Sequence, residues 1–359
     1  MKVVPRRVLV IVTRRIGDVL LATPLIRSLR RAWPTARLEA LVFAGTEGVL
    51  AGNPDLDRVH VVAERPRFAA HVQLLARLIR RYDHALSLVP GDRPTLYAWT
   101  AGRRRSGLLL DAPGQRWKRH LLHDRVPFDD RDTHTVRMHL ALAQTLNIPA
   151  IAEIVPCWQA TDVAAVDALL GTEKNALAVL HPHPKFRYKM WHEQGWVTVA
   201  RWLLEHGFRV VLTGSANSAE RAYVAAIAEQ LPDTVINAAG KLTLGGVAAL
   251  LACARCYVGP DTAVTHMAAA AGVPTVALYG PTDPVKWGPW PQGHAVDRNP
   301  WRRLGDQHCG NVHLLQGRAA CVPCGHEGCD RHVASSSDCL QAIPAEEIIN
   351  RLKSITYEK

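Results

Sequence analysis

The amino-acid sequence predicts an α/β protein with two doubly wound parallel sheets. Short apolar, β-branched runs alternate with amphipathic helical segments along most of the chain, which is the pattern of repeated strand–helix units. These units fall into two sets of similar size, and 359 residues suit two domains better than one core. We therefore predict a first domain at residues 1–160, a second at 161–340 and a terminal helix at 341–359.

The first domain opens with a predicted strand at residues 7–13, RVLVIVT, whose unbroken β-branched run is typical of a strand buried on both faces of a parallel sheet. Asp18 follows this strand, just before a predicted helix at 19–32. It therefore lies at the carboxyl edge of the sheet, where such folds bind ligands, and is either a helix cap or a functional carboxylate. The remaining elements are strands at 38–43, 59–63, 85–89 and 107–110 and helices at 68–81 and 132–147.

Residues 149–162 carry less pattern and are predicted to join the domains. The second domain then repeats the alternation of strands and helices. Its predicted strands are 176–180, 209–212, 235–237, 256–258 and 275–279, and its predicted helices are 191–206, 218–230 and 244–254. Two such domains are expected to enclose a cleft between the carboxyl edges of their sheets.

Residues 255–284, RCYVGPDTAVTHMAAAAGVPTVALYGPTDP, are the most informative stretch. They predict a strand, a tight turn, a short helix of small residues and a second buried strand. Asp261 or Thr262 can cap this helix, and the free amides of its first turn, with the helix dipole behind them, favour an anion. Asp261 and His266 also have a purely structural interpretation, as a cap and as an ordinary helix histidine.

Charge and hydropathy restrict the partners and the location. The net charge of +11 predicts attraction to an anion, whether nucleic acid, an anionic lipid surface or a phosphorylated substrate. The apolar run at residues 8–12 is too short for a signal peptide and is followed at once by arginines, so a cytoplasmic location is expected. Residues 262–282 lack charged side chains but are broken by glycine and proline, which predicts a buried helix and strand rather than a membrane span.

Two further segments follow strands of the second domain. The loop HPHPKFRYKMW at residues 181–191 contains Lys185, Arg187 and Lys189, and such cations suit the oxygens of a diphosphate. A Gly–Ser turn ends at Ser215 and offers amides and a hydroxyl. Together they predict a nucleotide diphosphate site. The chain has neither a Walker loop nor a G-x-G-x-x-G after its first strand, which argues against an NTPase and a typical dehydrogenase.

Three segments together resemble glycosyltransferase family 9, the ADP-heptose:lipopolysaccharide heptosyltransferases. They are IGDVLLATPLIRSLR at residues 16–30, HP…KMW at 181–191 and GPDTAVTHMAAAAGVPTVALYGPTDP at 259–284. The resemblance implies the GT-B fold, with two facing Rossmann-like domains, and an inverting, metal-independent transfer of heptose from ADP-heptose to a lipopolysaccharide inner-core acceptor. It also implies a cytoplasmic protein in peripheral contact with the cytoplasmic face of the inner membrane, and a terminal helix that crosses back onto the first domain.

The resemblance assigns roles to individual residues. Asp18 matches the proposed general base of the family, and Lys189 matches a lysine that contacts donor phosphate or sugar. Ala263 stands where glycine is common in the family. The expected donor contacts are Lys189, Ser215, Glu220, Asp261, Thr262, Ala263 and His266, with Glu220 as a loosely aligned ribose contact. The expected acceptor or phosphate contacts are Arg14, Arg15, Lys185 and Arg187.

Five cysteines lie in the tail at residues 309–339, with a C-V-P-C at its centre. Cys-x-x-Cys is zinc-ligand spacing, and a cytosolic chain does not depend on disulfides. Two interpretations are open, a structural zinc or free thiols that oxidise in handling, and no cofactor is expected for catalysis. The candidate zinc ligands are Cys321, Cys324, Cys329 and Cys339.

Two alternatives accompany the heptosyltransferase prediction. The first is a glycosyltransferase or GT-B-fold epimerase that uses another sugar nucleotide. The second, from a different class, is a basic, zinc-containing nucleic-acid-binding protein. The arginines are scattered through two α/β domains rather than gathered on one recognised module, so we expect no nucleic-acid partner.

Overall fold

The structure is a computed structural model that describes residues 4–171 and 176–357. The chain forms two compact units. The first extends to Val155 and also takes in Ala295–Asn299. The second comprises Pro156–His294 and the chain from Pro300 onward.

The described part of the first unit contains a six-stranded parallel sheet flanked by helices. Its strand order, β3-β2-β1-β4-β5-β6, is that of a doubly wound nucleotide-binding fold. The strands are β1 (Arg7–Val12), β2 (Arg37–Phe43), β3 (Arg58–Val62), β4 (Tyr82–Ser87), β5 (Gly102–Leu109) and β6 (Asp124–Pro127). The helices are α1 (Ile16–Leu20), α2 (Thr23–Ala32), α3 (Phe68–Leu78), α4 (Asp92–Ala101) and α5 (Thr135–Leu146).

The single helix predicted at residues 19–32 is two helices, α1 and α2. Pro24 has no amide hydrogen to donate to the carbonyl of Leu20, four residues earlier. The hydroxyl of Thr23 donates to that carbonyl instead, at 2.7 Å. Hence α1 ends there and α2 starts with Thr23 and Pro24 in its first turn.

The described part of the second unit contains a seven-stranded sheet in the order β12-β13-β11-β10-β7-β8-β9. All pairs are parallel except β12 with β13. The strands are β7 (Leu177–Leu180), β8 (Arg209–Leu212), β9 (Ile236–Asn237), β10 (Cys256–Pro260), β11 (Thr275–Tyr279), β12 (Gln307–Cys309) and β13 (Val312–Gln316). The helices are α6 (Ala160–Leu170), α7 (Glu193–Glu205), α8 (Ser218–Ala228), α9 (Leu244–Ala252), α10 (Ala263–Ala270), α11 (Pro284–Trp287), α12 (Asp338–Gln341) and α13 (Ala345–Tyr357).

The central segment of the second unit folds as predicted, with β10, α10 and β11 in succession. A Cβ atom at Gly259 would collide with the Tyr257 hydroxyl, so only glycine fits where β10 reaches its carboxyl end. The prediction of a buried helix and strand at residues 262–282 is confirmed. None of the helices in the described ranges is long and apolar enough to cross a membrane.

The terminal helix α13 packs within the second unit, against α7 and β11. Its buried Ile348 and Leu352 belong to the same apolar core as Trp196 of α7. Just before it, the Trp191 indole donates to the carbonyl of Ile343 at 2.9 Å. These contacts attach the end of the chain to the second sheet. Contact with the first unit, which the resemblance implied, stays a prediction.

Candidate functional site

The carboxyl ends of three adjacent strands bring together Lys189, Asp261 and Thr282. Lys189 closes a short 3₁₀ turn (Arg187–Lys189) after β7, Asp261 follows β10 directly, and Thr282 follows β11. The Lys189 ammonium donates to Asp261 Oδ2, and Thr282 hydrogen-bonds the same carboxylate. Parallel strands end at one edge of their sheet, which is why residues so distant in sequence meet here.

Asp261 is held in its ionised form. Burial alone would raise the pKa of this carboxyl group, but the charge of Lys189, then that of His266 and the hydrogen bonds from Lys189 and Thr282, lower it below its ordinary value. An ammonium carries three donors, of which the carboxylate takes one. The Lys189 side chain is 17% exposed, so the group is accessible to a ligand at this edge.

His266 lies on α10 and is buried in the same cluster. Burial lowers the pKa of its imidazole to about 4, because the effect of Asp261 in the opposite direction is smaller and Lys189 lowers it further. The ring is therefore neutral at pH 7. Its Nδ1 atom has no hydrogen-bond partner among the described residues. A buried ring nitrogen without a partner is unusual for a histidine that only packs its helix.

Thr262, not Asp261, caps helix α10. Its side-chain oxygen accepts from the amide of Thr265 at 3.4 Å, and Ala263 is the first helical residue. The Thr265 hydroxyl in turn donates to the carbonyl of Pro260 at 2.5 Å. Because Thr262 satisfies the helix start, Asp261 is left to pair with Lys189. The first amides of a helix have no acceptor within it, and α10 begins two residues after Asp261.

A second cluster lies at the ends of β7 and β8. His181 Nδ1 is 3.0 Å from the Thr213 hydroxyl, and the Ser215 hydroxyl donates to the buried Glu220 carboxylate. Burial lowers the pKa of His181 to about 4, although Glu220 acts in the opposite direction; His183 adds to the lowering. Ser215 and Glu220, predicted separately as donor contacts, are thus bonded to each other. Their contact with a donor stays a prediction.

A cavity of about 400 Å³ adjoins this second cluster. The amide of Gly240, beside it, donates to the carbonyl of Gly214 in the Ser215 turn at 2.9 Å. Lys189 and Asp261 do not line this cavity. Its lining residues are Ser218, Arg221, Ala222, Ala225, Asn237, Ala239 and Lys241.

Asp18 is the third residue of α1 in the first unit and is not its N-cap. That position belongs to Arg15, whose side chain makes no capping bond. Burial raises the pKa of Asp18 above its ordinary value, even though Arg14, Arg15 and a hydrogen bond from the Arg15 main chain act in the opposite direction. The Arg14 Nε atom is 3.7 Å from Asp18 Oδ1. A carboxylate with a raised pKa is a better proton acceptor than an ordinary one.

Of the remaining predicted residues, Arg14, Arg15, Lys185 and Arg187 are exposed. Lys185 Nζ lies 5.7 Å from the centre of the Phe186 ring, which stacks on Tyr188. Sequence reasoning missed several residues that the fold brings to the site. They are Thr282, Tyr279, His181, His183 and Thr213.

The cysteine tail packs beside the Lys189 edge, because the amide of Gly325 donates to Pro281 and the Ser337 hydroxyl donates to the carbonyl of Tyr188. Burial, together with the thiols of Cys324, Cys321 and Cys329, raises the pKa of Cys339 to about 11. The tail cysteines Cys321, Cys324, Cys329 and Cys339 are free thiols. Across residues 4–171 and 176–357, no three His, Cys, Asp or Glu side chains are arranged to hold a metal ion. The structure therefore does not support the predicted zinc site at Cys321, Cys324, Cys329 and Cys339.

Known proteins resemble this chain in sequence and fold. The lipopolysaccharide heptosyltransferase 1 of Pseudomonas aeruginosa is 32% identical over 296 residues, which cover 77% of this chain and 79% of the relative. The lipopolysaccharide heptosyltransferase 3 of Escherichia coli K12 is 28% identical over 315 residues, with 79% and 89% covered. The solved E. coli ADP-heptose lps heptosyltransferase II has a TM-score of 0.75 at 20% identity, and the match covers 98% of this chain and 99% of that one.

The fold of that solved structure confirms the predicted GT-B class, with its two doubly wound sheets. The model of the family described as "Glycosyltransferase family 9 (heptosyltransferase)" matches residues 110–308, which are more than half of the chain and include Lys189, Asp261 and Thr282. With a 32% identical relative beside it, this match shows that the chain belongs to glycosyltransferase family 9.

Proposed function

We propose that this glycosyltransferase moves a heptose from ADP-heptose to a lipopolysaccharide inner-core acceptor, with inversion at the anomeric carbon. The observation that carries the proposal is the buried cluster of Lys189, Asp261 and His266 beside the start of α10. It combines a cation, the start of a helix and a buried imidazole nitrogen that has no hydrogen-bond partner among the described residues. The relatives' names, which specify lipopolysaccharide and heptose, support the choice of donor and acceptor.

In this proposal the donor diphosphate lies between Lys189 and the first turn of α10. Lys189 is oriented by the ionised Asp261, to which its ammonium donates. When the bond between the anomeric carbon and the diphosphate oxygen breaks, negative charge develops on the departing ADP. The ammonium and the oriented amides stabilise that charge without having to reorganise. The nucleoside is assigned to the neighbouring Ser215–Glu220 pair, where the adjoining cavity provides room.

Asp18 is proposed as the general base. It takes the proton from the acceptor hydroxyl while that oxygen forms its bond to the anomeric carbon, on the face opposite the leaving diphosphate. Its raised pKa suits this role, and Arg14 and Arg15 beside it suit an acceptor rich in phosphate and carboxylate. Such an acceptor is anchored in a membrane, so the protein is proposed to act at the cytoplasmic face of the inner membrane.

The test is a transfer assay with purified protein, a heptose-deficient lipopolysaccharide inner core and a set of donors. We expect mass spectrometry to find one heptose added from ADP-heptose, and no product from UDP- or GDP-sugars. Efficient transfer from a different sugar nucleotide would replace the donor assignment. Conversion of a sugar nucleotide to its epimer without transfer would favour the epimerase alternative, and tight DNA binding at physiological salt without ADP binding would favour the nucleic-acid alternative.

A further inference from the structure

Helix α3 of the first unit exposes an apolar stripe. Phe68, Val72 and Ala76 recur on the helix at intervals of four residues, and Ile79 follows its end. All four side chains are exposed, and Phe68 is 85% exposed. The opposite face is apolar as well, since Leu78 is buried in the core beneath the helix. A surface helix is normally polar on its outer face, so a helix with apolar side chains on both its buried and its exposed side favours a second partner.

Within the segment that holds this stripe, residues 65–81, the charge has a single sign. Residues 65–81 contain five arginines and no aspartate or glutamate. All five are exposed, and none of them has an ion-pair partner among the described residues. They flank the stripe at both ends of α3 and are Arg65, Arg67, Arg77, Arg80 and Arg81.

Neighbouring elements extend the same surface. Helix α4 packs beside α3, with the amide of Arg80 donating to the carbonyl of Thr100 at 2.9 Å, and it exposes Leu96 and Trp99. A 3₁₀ helix (Pro113–His120) exposes Trp117 between Arg116 and Arg119. Its buried Lys118 fixes it to the start of α4 through Asp92 Oδ1, at 2.6 Å. We call the exposed apolar residues and arginines of α3, α4 and this 3₁₀ helix the basic apolar surface.

We propose that the basic apolar surface docks on an anionic lipid bilayer, with α3 lying in the plane of the interface. Phe68 and Trp117 enter the boundary between headgroups and acyl chains, where aromatic side chains are favoured. The flanking arginines pair with anionic headgroups, which complement a surface whose central helix carries no acidic side chain. The inference rests on the proposed function, because a membrane-anchored acceptor requires the enzyme at the bilayer, and it names the surface that brings it there.

The test uses the full chain and vesicle flotation. We expect binding to vesicles of phosphatidylglycerol and phosphatidylcholine, weakened by salt, and little binding to phosphatidylcholine alone. Phe68→Ser should weaken binding about tenfold, since it removes a large inserted side chain. Arg65→Gln and Arg67→Gln should each weaken it about fivefold. Leu304→Ser and Arg255→Gln alter exposed residues outside the surface and should leave binding unchanged.

Several outcomes would overturn the docking proposal. They are equal binding to neutral vesicles, full binding by the Phe68 and arginine variants, and a loss shared equally by the two control variants. A changed oligomeric state in the Phe68 variant, without vesicle binding by the parent protein, would assign the surface to a second copy. Melting temperatures confirm that each variant is folded.

The docking proposal and the proposed function can fail separately. Phe68→Ser should keep its affinity for ADP and its transfer to a water-soluble inner-core oligosaccharide without lipid. If the parent protein binds anionic vesicles but transfers no heptose to that oligosaccharide, the proposed function fails while the docking surface stands. If it transfers heptose but does not bind vesicles, the docking proposal fails alone.

Discussion

At the scale of single residues, the central feature of the proposed donor site is the pairing of Lys189 with Asp261. A lysine ammonium at this edge is useful to a ligand only if it points in one direction, and the ionised Asp261 carboxylate orients it. His266, neutral and with an unpaired ring nitrogen, completes the cluster without adding a competing charge. The three groups together are neutral, so an anion bound here would depend on the remaining donors of the ammonium and on the amides at the start of α10.

Replacing Lys189 with alanine should weaken ADP binding about 10- to 100-fold, because it removes a charge-assisted contact of about 1.5–3 kcal/mol. It also removes the strongest influence that lowers the pKa of Asp261, so this carboxyl group should titrate at higher pH. Isothermal titration with ADP measures the affinity. Lys353→Ala, an exposed lysine on α13, is the control. An unaltered ADP affinity in the Lys189 variant would remove this lysine from the donor site.

Asp18→Asn should reduce transfer by roughly 10²–10⁴, since the amide cannot accept the acceptor proton. ADP affinity and melting temperature should change little, because Asn keeps the shape and can still accept from the Arg15 main chain. Initial rates at saturating donor, with ADP titration and a melting curve alongside, provide the measurement. A variant that transfers at the parent rate would place the base elsewhere.

The charge environment of Asp18 predicts a pH dependence. A base is active when deprotonated, so the rate should fall as pH falls through the raised pKa of this carboxyl group. Arg14 opposes that rise, and Arg14→Gln should therefore move the acidic limb of the rate profile to higher pH. Arg255→Gln, on the other unit, should not move it. An acidic limb that stays in place or moves to lower pH would contradict this role for Arg14.

At the scale of elements, strands were more predictable than the breaks between helices. The core strands β1, β7, β8 and β11 are continuous apolar runs, and their predicted positions agree with the structure to within one residue at each end. Helix α4 was missed because its first turn, Asp-Arg-Pro, resembles a loop, and the break between α1 and α2 depends on a single side-chain hydrogen bond. The positions where helices begin and break depend on individual contacts, and hydrophobic periodicity does not reveal these contacts.

In the candidate site, the sequence likewise identified single residues but not the contacts between them. Position along the chain, together with the family resemblance, identified Lys189, Asp261 and His266 one by one. The bond between Lys189 and Asp261 spans 72 residues of sequence and became visible only with the sheet order. Thr282 lies in a turn that the sequence marked as sharp, but nothing in its residue type pointed to Asp261 as its partner.

The cap of α10 leads to a prediction at this scale. Thr262→Ala should lower the free energy of unfolding by about 1 kcal/mol, because the Thr265 amide loses its acceptor. It should also weaken ADP binding, since the amides of the first turn would no longer be held in place. Thr262→Ser keeps the oxygen and is the matched control. Urea unfolding measures the free energy of unfolding, and titration with ADP measures the affinity. If both quantities are equal in the alanine and serine variants, the cap is unimportant.

At the scale of the whole molecule, the carboxylates of the proposed donor site are buried, whereas most of the cations discussed here are exposed. The chain carries a net charge of +11, yet the buried Asp261 and Glu220 are the carboxylates that organise the donor edge. Lys185 and Arg187 of the 181–191 loop are exposed, as are Arg14 and Arg15 beside Asp18. The arginines of residues 65–81 lie on the first unit, outside both clusters. The two proposals thus assign basic charge to the donor, the acceptor and the bilayer through three separate sets of residues.

This distribution predicts that turnover needs no added divalent metal. Lys189 and the α10 amides already face the position proposed for the diphosphate, and they can balance the charge that a metal ion would otherwise neutralise. Heptose transfer should therefore keep its rate in EDTA, and magnesium or manganese should not increase it. The cysteine tail packs against this edge through Pro281 and Tyr188, so melting temperatures must be recorded with and without chelator. If EDTA abolishes activity at an unchanged melting temperature and magnesium restores it, a metal ion helps to stabilise the diphosphate charge, a role assigned here to Lys189.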